Sequence, residues 1–140
     1  VKVLVDANVL VSVLNKEYPV YTYSARVLSL ADKQNFDLYA TPTSLAISFY
    51  FSSKKSGEAL AKKKLHQLCE HVHIAMISET AVKLALGNKS VHDFEDGMQY
   101  YAAVETGCQC IVTEDKDDFY YSDLEVLSCE EFLERHVFSI

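Results

Sequence analysis

The sequence predicts an α/β fold with a mainly parallel central sheet of about five strands, flanked by helices on both faces. Three observations predict it. Short apolar or β-branched runs (VKVLV, DLYA, HIAMI, CIVT, EVL) recur along the chain, and apolar residues at helical spacing fill the segments between them. Helix start and stop signals punctuate those segments. The alternation of strand and helix runs from end to end, the order in which crossover helices join parallel strands.

Taken in order, Val1 to Val5 is a strand that stops at Asp6, and Val9, Leu10, Val13 and Leu14 then fall on one helical face. Tyr21 to Lys33 places Val27, Leu28, Leu30 and Ala31 on a second helical face, and Asp37 to Ala40 is the second strand. Thr41-Pro42 opens the next helix, over Thr43 to Phe51, because proline in a first helical turn forfeits no hydrogen bond. Glu58 to Cys69 is helical, with Leu60, Ala61, Leu65 and Leu68 in register, and His73 to Ile77 is a third strand. Ser78 starts a helix to Leu86 that Gly87-Asn88 ends, and Asp93 to Thr106 is a helix closed by Gly107. Cys110 to Thr113 and Glu125 to Leu127 are short strands, and Ser128 to Glu131 is a capping box for a last helix to about His136.

At 140 residues and 49% hydrophobic content, with no repeats or linkers, the chain is expected to form a single domain over 1–140 with a real apolar core. A net charge of −7 argues against holding nucleic acid by bulk electrostatics, so any RNA contact must be local. Cys69, Cys108, Cys110 and Cys129 form no CxxC pair and are expected to be buried reduced thiols. No signal peptide and no apolar run long enough to span a bilayer is visible, which points to a cytoplasmic protein with no membrane partner.

In open α/β sheets, ligands bind beyond the carboxyl ends of the strands, and the residues there are acidic. Asp6 follows the first strand, Asp115 follows the strand ending at Thr113, and Asp93 and Asp96 open the helix before that strand. Each has a plainer role open to it. Asp93 and Asp96 occupy a first helical turn, where carboxylates cap free N–H groups, and Asp115, Asp117 and Asp118 can form a solvated turn. Asp6 stands alone among apolar residues, where a charge needs a cation or hydrogen bonds. Converging carboxylates repel one another unless a divalent metal neutralises them, and Mg²⁺ or Mn²⁺ suits an all-oxygen ligand set. Such a centre serves phosphodiester hydrolysis. A Gly-rich phosphate loop, a GxSxG elbow and an HExxH motif are all missing.

These residues resemble a family, the PIN-domain ribonucleases, and especially the toxin half of VapBC-type toxin-antitoxin pairs. VLVDANVLVSVL (Val3 to Leu14) is similar to the family's first strand with its Asp and nearby Asn. HDFEDGMQYYAAVETGCQCIVTEDKDDF (His92 to Phe119) is similar to its central helix, fourth strand and Thr-x-Asp turn, and Val126 to Leu133 resembles the closing strand and helix. The resemblance implies a PIN-like three-layer fold and a Mg²⁺- or Mn²⁺-dependent endoribonuclease that acts on RNA. It implies Asp6, Asp96 and Asp115 as catalytic metal ligands and Asp93 or Asp118 as supporting or substitute ligands. It implies Asn8 and Thr113 as supporting groups acting through hydrogen bonds, and Ser44, with Thr43 and Ser48, is a nearby oxygen expected to support the site. An acidic cleft that must be kept silent is expected to take a basic antitoxin as partner, which the resemblance supports, and apolar helix faces are expected to make a homodimer. One departure stands out: many relatives carry an acid in the helix after the second strand, whereas here TPTSLAISFYF places Ile47 or a neighbour at that position.

Lys54, Lys55, Lys62, Lys63 and Lys64 gather five of the 13 basic residues into one stretch, which either steers an RNA backbone or is a solvated helix face. Tyr18, Tyr21, Tyr23, Phe49, Tyr50 and Phe51 are expected in the core or at a dimer contact rather than stacked on bases. His92, beside Asp93, is the one histidine near the acids. Two readings therefore stand, an endoribonuclease and a PIN-like RNA-binding or protein-interaction module with weakened catalysis. A phosphoacceptor receiver is disfavoured, because Ala7 and Lys116 stand where its second acid and separate lysine belong.

Overall fold

A computed structural model of the chain describes residues 1–138. In chain order its elements are β1 (Lys2–Val5), α1 (Ala7–Leu14), α2 (Tyr21–Ser29), a 3-10 turn (Leu30–Asp32), β2 (Asp37–Ala40), α3 (Pro42–Ser56) and α4 (Glu58–Cys69). They continue with β3 (His73–Ile74), α5 (Glu79–Gly87), α6 (Phe94–Thr106), β4 (Cys110–Val112), a second 3-10 turn (Lys116–Phe119), β5 (Glu125–Leu127) and α7 (Cys129–His136). The five strands form one parallel sheet in the order β3-β2-β1-β4-β5. The expected α/β architecture is therefore the observed one.

β1 is the central strand, and alternation of its side chains divides the core in two. Val3 and Val5 join Leu38, Ala40, Cys110 and Val112 on one face, where Val9 and Leu10 of α1, Val27 of α2, and Phe132 and Leu133 of α7 cover them. Leu4 and Ile111 face the other way and pack with Tyr100 and Ala103 of α6 and with Phe119. Helices thus cover both faces, because strands of this composition must bury both. Burying each large aliphatic side chain contributes about 1.5–3 kcal/mol.

Several elements depart from expectation for local reasons. α3 begins at Pro42, capped by the Thr41 side chain, and continues past Phe51 to Ser56, ending only at Gly57 with φ of 86°. The aromatic residues in it do not stop the helix, since Ser44, Ser48 and Ser52 form the buried stripe and leave Tyr50 and Phe51 exposed. Of the core or dimer-contact placement expected of the aromatics, the core half does not hold for Tyr18, Tyr50 and Phe51, which lie on the surface. β3 keeps only two of the expected five residues, because it lies at the sheet edge and Met76 already points into solvent. Cys108, Cys110 and Cys129 are buried free thiols, but Cys69, at the end of α4, is exposed.

A parallel sheet with these crossovers brings the functional segments to one edge. Asp6 follows β1, Thr41 follows β2 and Thr113 follows β4, all at carboxyl ends. α6 precedes β4 and so starts at that same edge, delivering its amino-terminal acids there. Gly97 permits the close approach of α6 to the preceding segment: a Cβ at that position would lie 2.5 Å from Cγ1 of Val91 and 3.1 Å from Cβ of Ala85.

Candidate active site

Asp6 is the hub. As the N-cap of α1 its Oδ1 accepts from the Ala7 amide at 2.7 Å and from Nε2 of Gln99 at 2.8 Å. Its Oδ2 accepts from the Thr113 hydroxyl at 2.8 Å. Asn8 is the tie between strands: its side-chain amide donates to Thr113 Oγ1 at 3.1 Å and to Asp115 Oδ2 at 3.2 Å, and its carbonyl accepts from the Glu114 amide. The Asp115 amide in turn donates to Thr113 Oγ1 at 3.0 Å. Asp6 and Asp115, far apart in the chain, are thereby fixed to one frame by Asn8 and Thr113.

The third arm is the start of α6. Asp93 caps the helix, its Oδ1 accepting from the Asp96 amide at 3.1 Å, which is the plainer of the two roles the sequence left open. Asp96 and the half-buried Glu95 point toward Asp6, and ligand atoms of Asp6, Glu95 and Asp96 all lie within 4.8 Å of one another. Gln99, fully buried, donates from Nε2 to both Asp6 and Glu95, the latter at 2.9 Å, while its Oε1 accepts from the Ser44 hydroxyl at 2.9 Å. Ser44 therefore does not face the cleft; it acts on Gln99 from behind, backed by the Thr41 hydroxyl.

Asn8 and the carboxylates line a cleft of about 430 Å³. Its acids are Asp6, Glu17, Asp93, Glu95, Asp96, Asp115 and Asp118, and its apolar wall is Val11, Ile47 and Phe51. No lysine or arginine lines it, and among the described residues no ion pair engages these carboxylates. Burial pushes the Asp6 carboxyl above its usual range against the pull of hydrogen bonds from Gln99, Thr113 and Ala7. Burial, then the charges of Asp6, Asp93, Glu95 and Asp118, pushes Asp96 up to about 8. Glu95 is raised by burial and then by Asp6 and Asp93, and Asp118 by burial and then by Asp115. Crowded, partly desolvated carboxylates without a cationic neighbour are what a divalent ion would stabilise, so the donor set fits a hard metal.

Sequence reasoning brought Asp6, Asp96, Asp115, Asn8 and Thr113 together, and the structure does the same. Asp93 and Asp118 line the cleft without joining the tight trio. Two residues were missed. Glu95 was passed over beside its acidic neighbours, and Gln99 carries no charge to draw attention. Their signal was the spacing: at roughly 100° per residue, position 99 falls on the helix between 95 and 96, so a glutamine there can serve that face. The five lysines do not line the cleft. Lys55 and Lys64 donate to the carbonyls of Asn15 and Leu14 at the end of α1, and Lys54 lies over the Tyr50 ring. His92 stacks on Tyr120 outside the cleft. A separate group, Cys110, Glu125 and His136, lies toward the amino ends of β4 and β5, where Arg135 already neutralises Glu125.

Comparison with known proteins bears on the family and the fold. The chain is 35% identical to Ribonuclease VapC1 of Aquifex aeolicus (strain VF5), over 96% of its own length and 94% of the relative's. Its fold is similar to that in the crystal structure of VapBC2 from Rickettsia felis bound to a DNA fragment from their promoter, with a TM-score of 0.70 and 17% identity, covering 91% of this chain and 98% of that one. It also resembles Mycobacterium tuberculosis VapC20, described as a Sarcin-Ricin loop cleaving toxin, with a TM-score of 0.62 and 13% identity over 78% of this chain and 86% of that one. A PIN-domain model matches residues 2–117, which take in β1 to β4 and every carboxylate of the cleft except Asp118, and on that match the chain belongs to the PIN-domain family.

Proposed function

We propose that this chain is a divalent-metal-dependent endoribonuclease, the toxin of a toxin-antitoxin pair, with Asp6, Asp96 and Asp115 as its catalytic carboxylates. The observation that carries the proposal is the convergence of carboxylates, at the carboxyl ends of β1 and β4 and the start of α6, into a cleft with no basic side chain. The ribonuclease relative at 35% identity supports the reaction class. Mg²⁺ or Mn²⁺ bound there supplies charge neutralisation for an RNA phosphodiester and activation of water.

The chain's own residues perform the remaining work. Asn8 and Thr113 hold Asp6 and Asp115 in fixed relation, so little reorganisation is needed when substrate arrives. Asp93 keeps the first turn of α6 wound, and so keeps Asp96 in place. The wall of Val11, Ile47 and Phe51 offers an apolar surface to a ribose or base next to the acids. Lys54, Lys62 and Lys63 are exposed, and their positive charge steers the RNA backbone toward an otherwise acidic protein.

The same cleft predicts the partner. A basic antitoxin segment that places Arg or Lys among the carboxylates would silence the site by direct pairing. We further propose a cytoplasmic homodimer formed through exposed apolar helix faces; among the described residues no helix is long and apolar enough to cross a membrane.

Ile47, in the wall of the cleft where relatives of this type are expected to carry an acid, favours a second reading, a PIN-like module that binds RNA or protein without cutting. Asp6→Asn separates the two. Asn retains the Oδ1 that accepts from Ala7 and Gln99, so the fold should persist while Mn²⁺-dependent cleavage of single-stranded RNA falls below detection. Wild-type cleavage by folded Asp6→Asn sinks the assignment, and a metal-saturated wild type that never cleaves RNA establishes the second reading.

A further inference from the structure

We infer that Glu95 supplies the metal-binding carboxylate that α3 lacks, and that Gln99 and Ser44 are the positioning residues that hold it against Asp6. The inference rests on the metal-dependent reading of the cleft and specifies which side chains make the centre in this chain. Ile47 is half-buried and lines the cleft, so the α3 side of the site presents a branched alkyl group where an oxygen would be needed. Glu95 enters the cleft from another element, α6, and its carboxylate lies within 4.8 Å of those of Asp6 and Asp96, a three-way grouping with those two acids.

Glu95 is not free to choose that position. Nε2 of Gln99 has two hydrogens, one donated to Asp6 Oδ1 and the other to Glu95 Oε1. The amide could turn over only if Oε1 faced two carboxylates, and the Ser44 hydroxyl, which donates to Oε1, holds it the other way. Thr41 caps α3 and donates to Ser44 Oγ, so the orientation is anchored in the carboxyl end of β2. The result is a relay through uncharged groups that brings two carboxylates together without a cation of its own. Each of them keeps a second oxygen for other partners; for Asp6 that is Oδ2, held by Thr113.

The test is calorimetric titration of the full chain with Mn²⁺ alone, paired with thermal melting and the Mn²⁺ electron paramagnetic resonance line shape. Glu95→Gln should weaken Mn²⁺ binding tenfold or more at unchanged fold. Gln99→Leu should weaken it about 10- to 100-fold, as loss of an orienting partner does, and should change the line shape, which a merely structural residue would leave alone. Ser44→Ala should act in the same direction and keeps the test valid should Gln99→Leu fold poorly. The double variant Glu95→Gln/Ile47→Glu, which returns a carboxylate from the α3 side, should recover most of the lost affinity. Equal Mn²⁺ affinity in wild type and Glu95→Gln overturns this inference and leaves the metal-dependent reading standing. A wild type with no saturable Mn²⁺ binding in the millimolar range overturns both.

Discussion

Asp96→Asn should make the metal-free protein more stable and the metal-loaded protein less stable, so that the order of the two proteins reverses on adding metal. The reasoning starts from a carboxyl pushed up to about 8 from an ordinary 3.8 by burial and by its acidic neighbours. The native state holds a proton that the unfolded chain has already released across this interval. Stability contributed by the group is therefore full below the unfolded value and falls as pH rises toward 8. At about 1.4 kcal/mol per pH unit, the interval from 3.8 up to pH 7 corresponds to an upper bound of roughly 4 kcal/mol. The cleft is open to water and its charge is shared among several carboxylates, so screening brings the expected difference to about 1–2 kcal/mol. Asn removes the titration and keeps the shape.

Metal acts with the opposite sign, because an ion that binds only the native state at a hundredfold excess over its Kd adds about 2.7 kcal/mol, and Asp96→Asn should forfeit most of that. The assay is urea unfolding of both proteins from pH 5 to pH 9, with EDTA and again with Mn²⁺. In EDTA the gap in favour of Asp96→Asn should widen with pH and level off near pH 8 to 9. With Mn²⁺ the wild type should lead. An Asp96→Asn protein less stable than wild type in EDTA at pH 8 would show that the acids are not in mutual conflict, and a rank order indifferent to Mn²⁺ would show that no ion relieves it.

Thr113→Val keeps volume but removes the hydroxyl that serves Asp6, Asn8 and the Asp115 amide, so it should cost about 1–3 kcal/mol in urea unfolding and weaken Mn²⁺ binding alongside. Gly97→Ala gains about 1 kcal/mol of helix propensity yet drives a methyl into the stiff Val91 side chain, so a net loss of stability by thermal melting is expected. Charge reversal at Lys62 and Lys63, both exposed, should leave the melting temperature unchanged and reduce both the affinity for single-stranded RNA and its salt dependence. An unchanged salt slope would remove these lysines from the RNA path.

The fold was legible because its signals are short-range and redundant. Several expected helices carry a chemical mark at an end, such as Ser78, Gly107 or the capping box at Ser128, and the structure uses all three. What misled was context. The extent of α3 depends on a stripe of serines packing inward, which hydrophobic periodicity counts as polar and therefore outward. β3 reads as a five-residue strand, His73 to Ile77, yet it has a neighbour on one side only, and its pairing ends after Ile74.

The candidate site was legible to the extent that charge marks function. Asp6, Asp96 and Asp115 stand out because an acid at the end of a buried strand or in a first helical turn demands a reason, and their convergence follows once the strands are parallel. Glu95 and Gln99 were hidden because their roles are relational. Glu95 differs from a solvated first-turn acid only through what stands opposite it, and Gln99 matters only because its one amide reaches two carboxylates at once. The gap at Ile47 was visible in the sequence, but whether it disables the site depends on α6, an element far along the chain. A centre that loses an acid from one helix can keep its charge if another helix turns one inward. The cost is a neutral donor to hold the acids together in the absence of metal, and a fully buried glutamine four residues after a glutamate is the mark by which such a substitution can be sought in other sequences.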